Sequence, residues 1–101
     1  MLDREFFLGF IKIHILYHAS KESIFGTEIA QELARHGYSI SPGTLYPTLH
    51  RLEKAGYLKS SSQVVEGKVR KYYLATSAGK RVLEQSKKKI RELVTEVIEE
   101  R

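Results

Sequence analysis

Between Ser41 and Lys71 the chain sets out side chains that suit one chemistry, contact with a polyphosphate and with the base edges between its phosphates. Ser41, Thr44, Tyr46, Pro47, Thr48, His50, Arg51 and Lys54 fall in one short segment, and Lys68, Arg70 and Lys71 follow. Arg51 can grip a guanine edge with two hydrogen bonds or clamp a phosphate, and the sequence leaves both open. Thr44 and Thr48 can bond phosphates or meet a thymine methyl, while Tyr46 and Pro47 offer a flat, nearly apolar surface to bases or sugars. Lys68, Arg70 and Lys71 are placed to neutralise phosphates. Taken singly, each cation reads as a solvated surface charge, with Arg51 and Lys54 pairing to Glu53 or Glu28. Two basic elements adjacent in sequence shift the balance toward DNA.

Two short helices, a turn and a third helix must position these groups. Apolar residues predict a first helix over about Asp3–Ala19, nearly apolar all round and so expected to be sandwiched. Ser20–Ser23 reads as a polar connection. Ile29, Ala30, Leu33 and Ala34 predict a second helix over Gly26–His36, closed by Gly37 in the left-handed region. For the third helix Ser41 and Thr44 are rival N-caps. Thr44 is preferred, with Ser41–Gly43 as a lead-in turn, Pro47 in the first turn, and Leu45, Leu49 and Leu52 facing inward to Ala55. Tyr57–Val65 and Val69–Ala75 read as strands joined at Glu66-Gly67-Lys68, a two-stranded wing with a basic tip. Thr76 caps a last helix to about Glu99, whose stripe (Ala78, Val82, Leu83, Ile90, Leu93, Val94, Val97, Ile98) exceeds what one small domain can cover. The fold class is mainly α (α+β): a winged helix-turn-helix with a long C-terminal dimerisation helix. Residues 1–76 form the DNA-binding domain, helix 3–19 also entering the dimer interface, and 77–101 form the dimerisation helix. A major groove about 12 Å wide admits a helix about 10–12 Å across.

Charge and length narrow the classes. The 101 residues suffice for one domain. The net charge is +5, and residues 44–76 carry six Lys/Arg against two Asp/Glu. That excess suits counterion release from a nucleic acid, and by itself fits a merely basic surface equally well. No apolar run reaches the ~18 residues of a membrane span. The N-terminal stretch lacks a signal peptide's basic region and cleavage site. With no cysteine there is neither a disulfide framework nor a thiolate metal site, which fits a cytoplasmic protein.

Ser41-Pro42-Gly43-Thr44-Leu45-Tyr46-Pro47-Thr48-Leu49-His50-Arg51-Leu52-Glu53 closely resembles the recognition-helix motif of PadR-type transcriptional regulators. Gly56-Tyr57-Leu58 and Arg70-Lys71-Tyr72-Tyr73-Leu74-Ala75-Thr76 resemble the wing, and Gly79 the start of the next helix. The resemblance spans nearly the whole chain. It implies a homodimeric winged-helix repressor on a palindromic operator, its first and last helices building the dimer. The apolar first helix and the stripe of the last one point to Phe6, Phe7, Phe10, Leu83, Ile90, Leu93, Val94, Val97 and Ile98 as the interface. Where the family often has aromatic-Gly-aromatic, this chain has Phe25-Gly26-Thr27. A single C-terminal helix matches the short branch of the family. The main competing function is a winged-helix adaptor for protein–protein contact, which would not need three cations on the wing.

Resemblance also implies a small-molecule effector at the dimer centre, stacked on an aromatic residue of the last helix. This last helix has none, and Phe6, Phe10 and Tyr17 are the substitutes, though core and interface packing is the favoured reading of these rings. His14 and His18 share a helix face at a spacing able to bind zinc, which would need a third ligand. The favoured reading is a histidine pair at a partly buried dimer surface, so no metal or cofactor is assigned. No nucleophile–base–acid set or phosphate-cradling glycine loop is visible, and no enzymatic activity is expected.

Overall fold

The computed structural model describes residues 2–101. Its elements run α1 (Leu2–Lys21), β1 (Ile24–Phe25), α2 (Gly26–Arg35), α3 (Pro42–Lys54), β2 (Leu58–Val65), β3 (Lys68–Ala75), α4 (Ser77–Leu93) and a π-helical turn over Val94–Ile98. The strands form one antiparallel sheet in the order β1-β3-β2. The wing hairpin pairs Leu58 with Ala75 and Val65 with Lys68. Glu66 and Gly67 make its two-residue turn with φ of 51° and 77°, the paired positive angles whose twist suits a tight hairpin.

The sheet therefore has a third strand beyond the predicted wing. Ile24 and Phe25 pair with Tyr73 and Tyr72, in a piece too short to show the period-2 alternation that marks strands.

The recognition-type helix also starts earlier than predicted. Its N-cap position is Ser41, whose carbonyl accepts from the backbone N–H of Thr44 (3.0 Å) and of Leu45 (2.9 Å). Pro42 takes N1, where a missing N–H costs nothing and its fixed φ suits the helix. Pro47 consequently lies in the second turn, not the first, and has no N–H to offer the Gly43 carbonyl.

One core joins the four α-helices and the sheet. Ile11, Ile15, Leu16 and Ala19 of α1 meet Ile24, Ile29 and Leu33, then Leu45, Leu49 and Leu52 of α3, Leu58, Tyr73 and Ala75 of the sheet, and Leu83 of α4. Leu83, expected at a subunit interface, is buried in the core of its own chain. Phe7 packs against that core and against Tyr38, ring centroids 5.5 Å apart.

The start of α4 docks on the turn that ends α3. The Thr76 hydroxyl accepts from Gly79 N–H (3.0 Å) and donates to the Gly56 carbonyl (2.6 Å), while Thr76 N–H donates to the Tyr57 carbonyl (3.1 Å). Farther along, α4 leaves the body, and the molecule extends 55 × 28 × 22 Å. Leu93 at its end, Val97 and Ile98 in the π-helical turn beyond it, and Phe6 on α1 are exposed. No helix among the described residues is long and apolar enough to cross a membrane.

Candidate nucleic-acid interface

With Leu45, Leu49 and Leu52 buried, the turn of about 3.6 residues fixes the other side of α3. Gly43, Pro47, His50 and Lys54 follow one line opposite the core. Tyr46 and His50 border a cleft of ≈ 520 Å³ shared with Phe25, Gly26 and the wing residues Val69, Arg70 and Lys71. Arg51 lies on the other flank, beside Lys12 of α1 and Ser86 of α4. Ser41, Tyr46, His50, Arg51 and Lys54 are exposed, and Thr44 and Pro47 half-buried.

Thr48 does not belong to this face. It is 1 % exposed and its hydroxyl donates to the Thr44 carbonyl at 2.7 Å. Its place was readable, since it stands three residues after Leu45 and four before Leu52, on the stripe that faces the core.

The wing cations differ from one another. Lys68 and Arg70 are exposed, and the Arg70 guanidinium stands over the Phe25 ring, 4.4 Å from its centroid. Phe25 is in turn edge-on to Tyr72. This fixes a planar group that otherwise has many rotamers. Lys71, expected to face phosphates, pairs with Glu53 of α3 (3.4 Å) and approaches the Tyr73 ring. Among the described residues no carboxylate lies within ion-pair distance of Arg51, Lys54, Lys68 or Arg70.

Glu53 ties the wing to α3. The Ser60 hydroxyl donates to its carboxylate, which also takes Lys71. The Ser60 bond, then Lys71, hold its pKa below the ordinary 4.5 against the opposing pull of burial. Desolvation would lower Lys71, but Tyr73 and Glu53 outweigh it and raise the ammonium above its usual value. A depressed carboxylate contributes stability in full above its unfolded pKa and loses it as pH falls through the folded one. Glu53→Gln is therefore expected to lower the melting temperature at pH 7. The gap to the unsubstituted protein should close as pH drops below 4.5, and parallel melting curves across that range would count against the tie.

Gly26 has a second task here. A Cβ on it would stand 2.8 Å from the Tyr46 ring and hydroxyl, so only glycine lets that ring lie over the start of α2. Sequence reasoning missed Phe25 and Gly26 as site residues, although the Phe-Gly pair stands out in the chain.

Residues 15–85 match the family described as "Transcriptional regulator PadR-like family". The chain belongs to it. It is similar to the transcriptional regulator Rv3488 of Mycobacterium tuberculosis, 48% identical over 94% of this chain and 89% of the relative. It is also similar to the crystal structure of a PadR family transcriptional regulator from Eggerthella lenta, 33% identical with a TM-score of 0.85, covering 97% of this chain and 87% of that one. Bacillus subtilis PadR in complex with operator DNA gives a TM-score of 0.67 over 73% of this chain and 45% of that one. At 23% identity that likeness is one of fold. In this PadR-like regulator the residues matched include α2, α3 and the wing, the elements that carry the exposed cations.

The residues of the expected effector platform are divided. Phe6 and Phe10 touch edge-to-face, centroids 4.7 Å apart. Tyr17 lies about 10 Å farther along the helix and lines a different cleft, with His14, His18 and His36.

Proposed function

We propose that this PadR-like regulator is a repressor that binds double-stranded DNA as a homodimer on a palindromic operator, in the cytoplasm. Each α3 lies in a major groove and each wing follows the adjoining phosphates. The observation that carries this is the face of α3 and the wing, where four cations without carboxylate partners among the described residues border an exposed helix side. His50 and Lys54, at the middle of that face, reach toward base edges. Arg51, Lys68 and Arg70 take phosphates on its flanks. The likeness of fold to a PadR solved in complex with operator DNA supports DNA as the partner. The test is a gel shift with the protein's own promoter region over a salt series. Tight binding that weakens steeply with salt agrees with it. Binding no better than to random DNA at low salt would point to the adaptor instead.

Gly26→Ala probes the Tyr46 position. The displaced ring should cost one contact, about 1 kcal/mol or about fivefold in operator affinity, while thermal stability changes little because the ring is 43% exposed and free to swing. An unchanged affinity would remove Tyr46 from the interface.

The dimer rests on Phe6, Leu93, Val97 and Ile98, which are 57%, 52%, 58% and 73% exposed on the two helices expected to build it. Phe10, Ile90 and Val94, half-buried, border them. Sedimentation equilibrium at micromolar concentration is expected to show two 11.6 kDa chains associated. Val97→Asp should weaken association by about a hundredfold, the cost of burying an unpaired charge. A stable monomer would contradict the dimer. Release by a small molecule belongs to the same reading, with the Phe6–Phe10 pair as its aromatic platform.

A further inference from the structure

His14 and His18 stand one turn apart on α1, and His36 is the first residue past α2. Each offers a ring nitrogen, and the three nitrogens lie within 4.8 Å of one another. The rings of His14 and His36 are stacked at 5.0 Å, and His14 and His18 at 6.4 Å with planes 12° apart. A tetrahedral ion with metal–nitrogen bonds of about 2.0–2.1 Å needs its ligand nitrogens about 3.4 Å apart. The nitrogens, at most 4.8 Å apart, therefore need to close by up to about 1.4 Å, within reach of rotamer changes in side chains that are half-buried (His14, His18) or exposed (His36).

We propose that His14, His18 and His36 form a binding site for a borderline divalent transition-metal cation of the zinc or cobalt class. Three neutral imidazoles select such ions over calcium or magnesium, which take oxygen ligands. A fourth position is left for water. The cleft beside them is lined also by Ile13, Tyr17 and Leu83 and opens to solvent, which gives the ion low-dielectric walls and a way in. Lys87 also borders it, but its ammonium is held by Glu84 at 3.2 Å. The site would fasten α1 to the end of α2, just ahead of the link into α3. It shares no residue with the cleft between α3 and the wing, and its test does not depend on DNA binding.

The full chain, stripped of metal with a chelator, is titrated with Co²⁺ and followed by visible ligand-field absorption, then back-titrated with Zn²⁺. The expected result is one cobalt per chain in a four- or five-coordinate site, displaced by zinc. His36→Ala, at an exposed position, should keep its far-ultraviolet circular dichroism and lose at least about tenfold in affinity, the low end even for residues that only support a ligand. His18→Ala should do the same. An absent band in the unsubstituted protein, or a band that survives both substitutions unchanged, would overturn the proposal.

Discussion

Gly79→Ala is expected to lower stability by about 3 kcal/mol or more, the upper range for forcing an atom into filled space. Propensity alone gives the opposite sign, since alanine within a helix gains about 1 kcal/mol over glycine. The packing decides. A Cβ on Gly79 would fall well inside van der Waals contact with the Tyr57 carbonyl oxygen and 3.0 Å from its carbonyl carbon. The obstacle is backbone, so no rotamer change relieves it. That same oxygen accepts from Thr76 N–H, and the Gly79 N–H donates to the Thr76 hydroxyl. Any retreat of α4 therefore loosens its own N-cap, worth about 1 kcal/mol. In a domain of this size 1 kcal/mol moves the melting temperature by about 4–8 °C. A fall of more than about 10 °C follows, measurable by calorimetry. A melting temperature equal to or above that of the unsubstituted protein would show that α4 does not dock as described.

The second large effect concerns the wing. Removing both Lys68 and Arg70 as alanines is expected to weaken binding to all DNA sequences alike, by about a hundredfold near physiological salt. Each lost phosphate contact should also reduce the slope of log K against log salt by about 0.9. The two residues sit at the hairpin tip and on β3 with no carboxylate partner among the described residues, so their loss leaves no buried charge behind and costs stability only the Arg70–Phe25 contact, about 0.5–1 kcal/mol. Lys71→Ala makes the contrast. Its ammonium is engaged by Glu53, so its removal should affect melting more than the salt slope. If Lys71 and Lys68 changed the slope equally, the division of labour on the wing would be wrong.

Much of this arrangement was legible because local rules and global packing agree. Gly37, Gly56 and Gly67 take positive φ where helices or the hairpin turn end, and Thr76 caps α4 as its residue type implies. The third helix was readable from its leucine spacing, but its start was not. Ser41-Pro42 and Thr44 both satisfy capping rules, and only the backbone bonds to the Ser41 carbonyl decide between them. The site was less legible than the fold. Lys71 alternates with Tyr73 on the inward side of β3, so its turn toward Glu53 could have been inferred from strand period. Arg70 over Phe25 and His36 beside His14 are tertiary contacts between segments far apart in the chain, and no spacing rule reaches them.

The central claim is that DNA meets the outer face of α3 and the wing together. Chemical-shift mapping of the ¹⁵N-labelled protein on addition of operator DNA tests it most directly. The account predicts the largest shifts along Gly43, His50, Arg51 and Lys54 and around Gly67 to Arg70, with little change at Leu83 or Ala19 in the core. Shifts confined to α1 and the end of α4, with α3 and the wing silent, would contradict it.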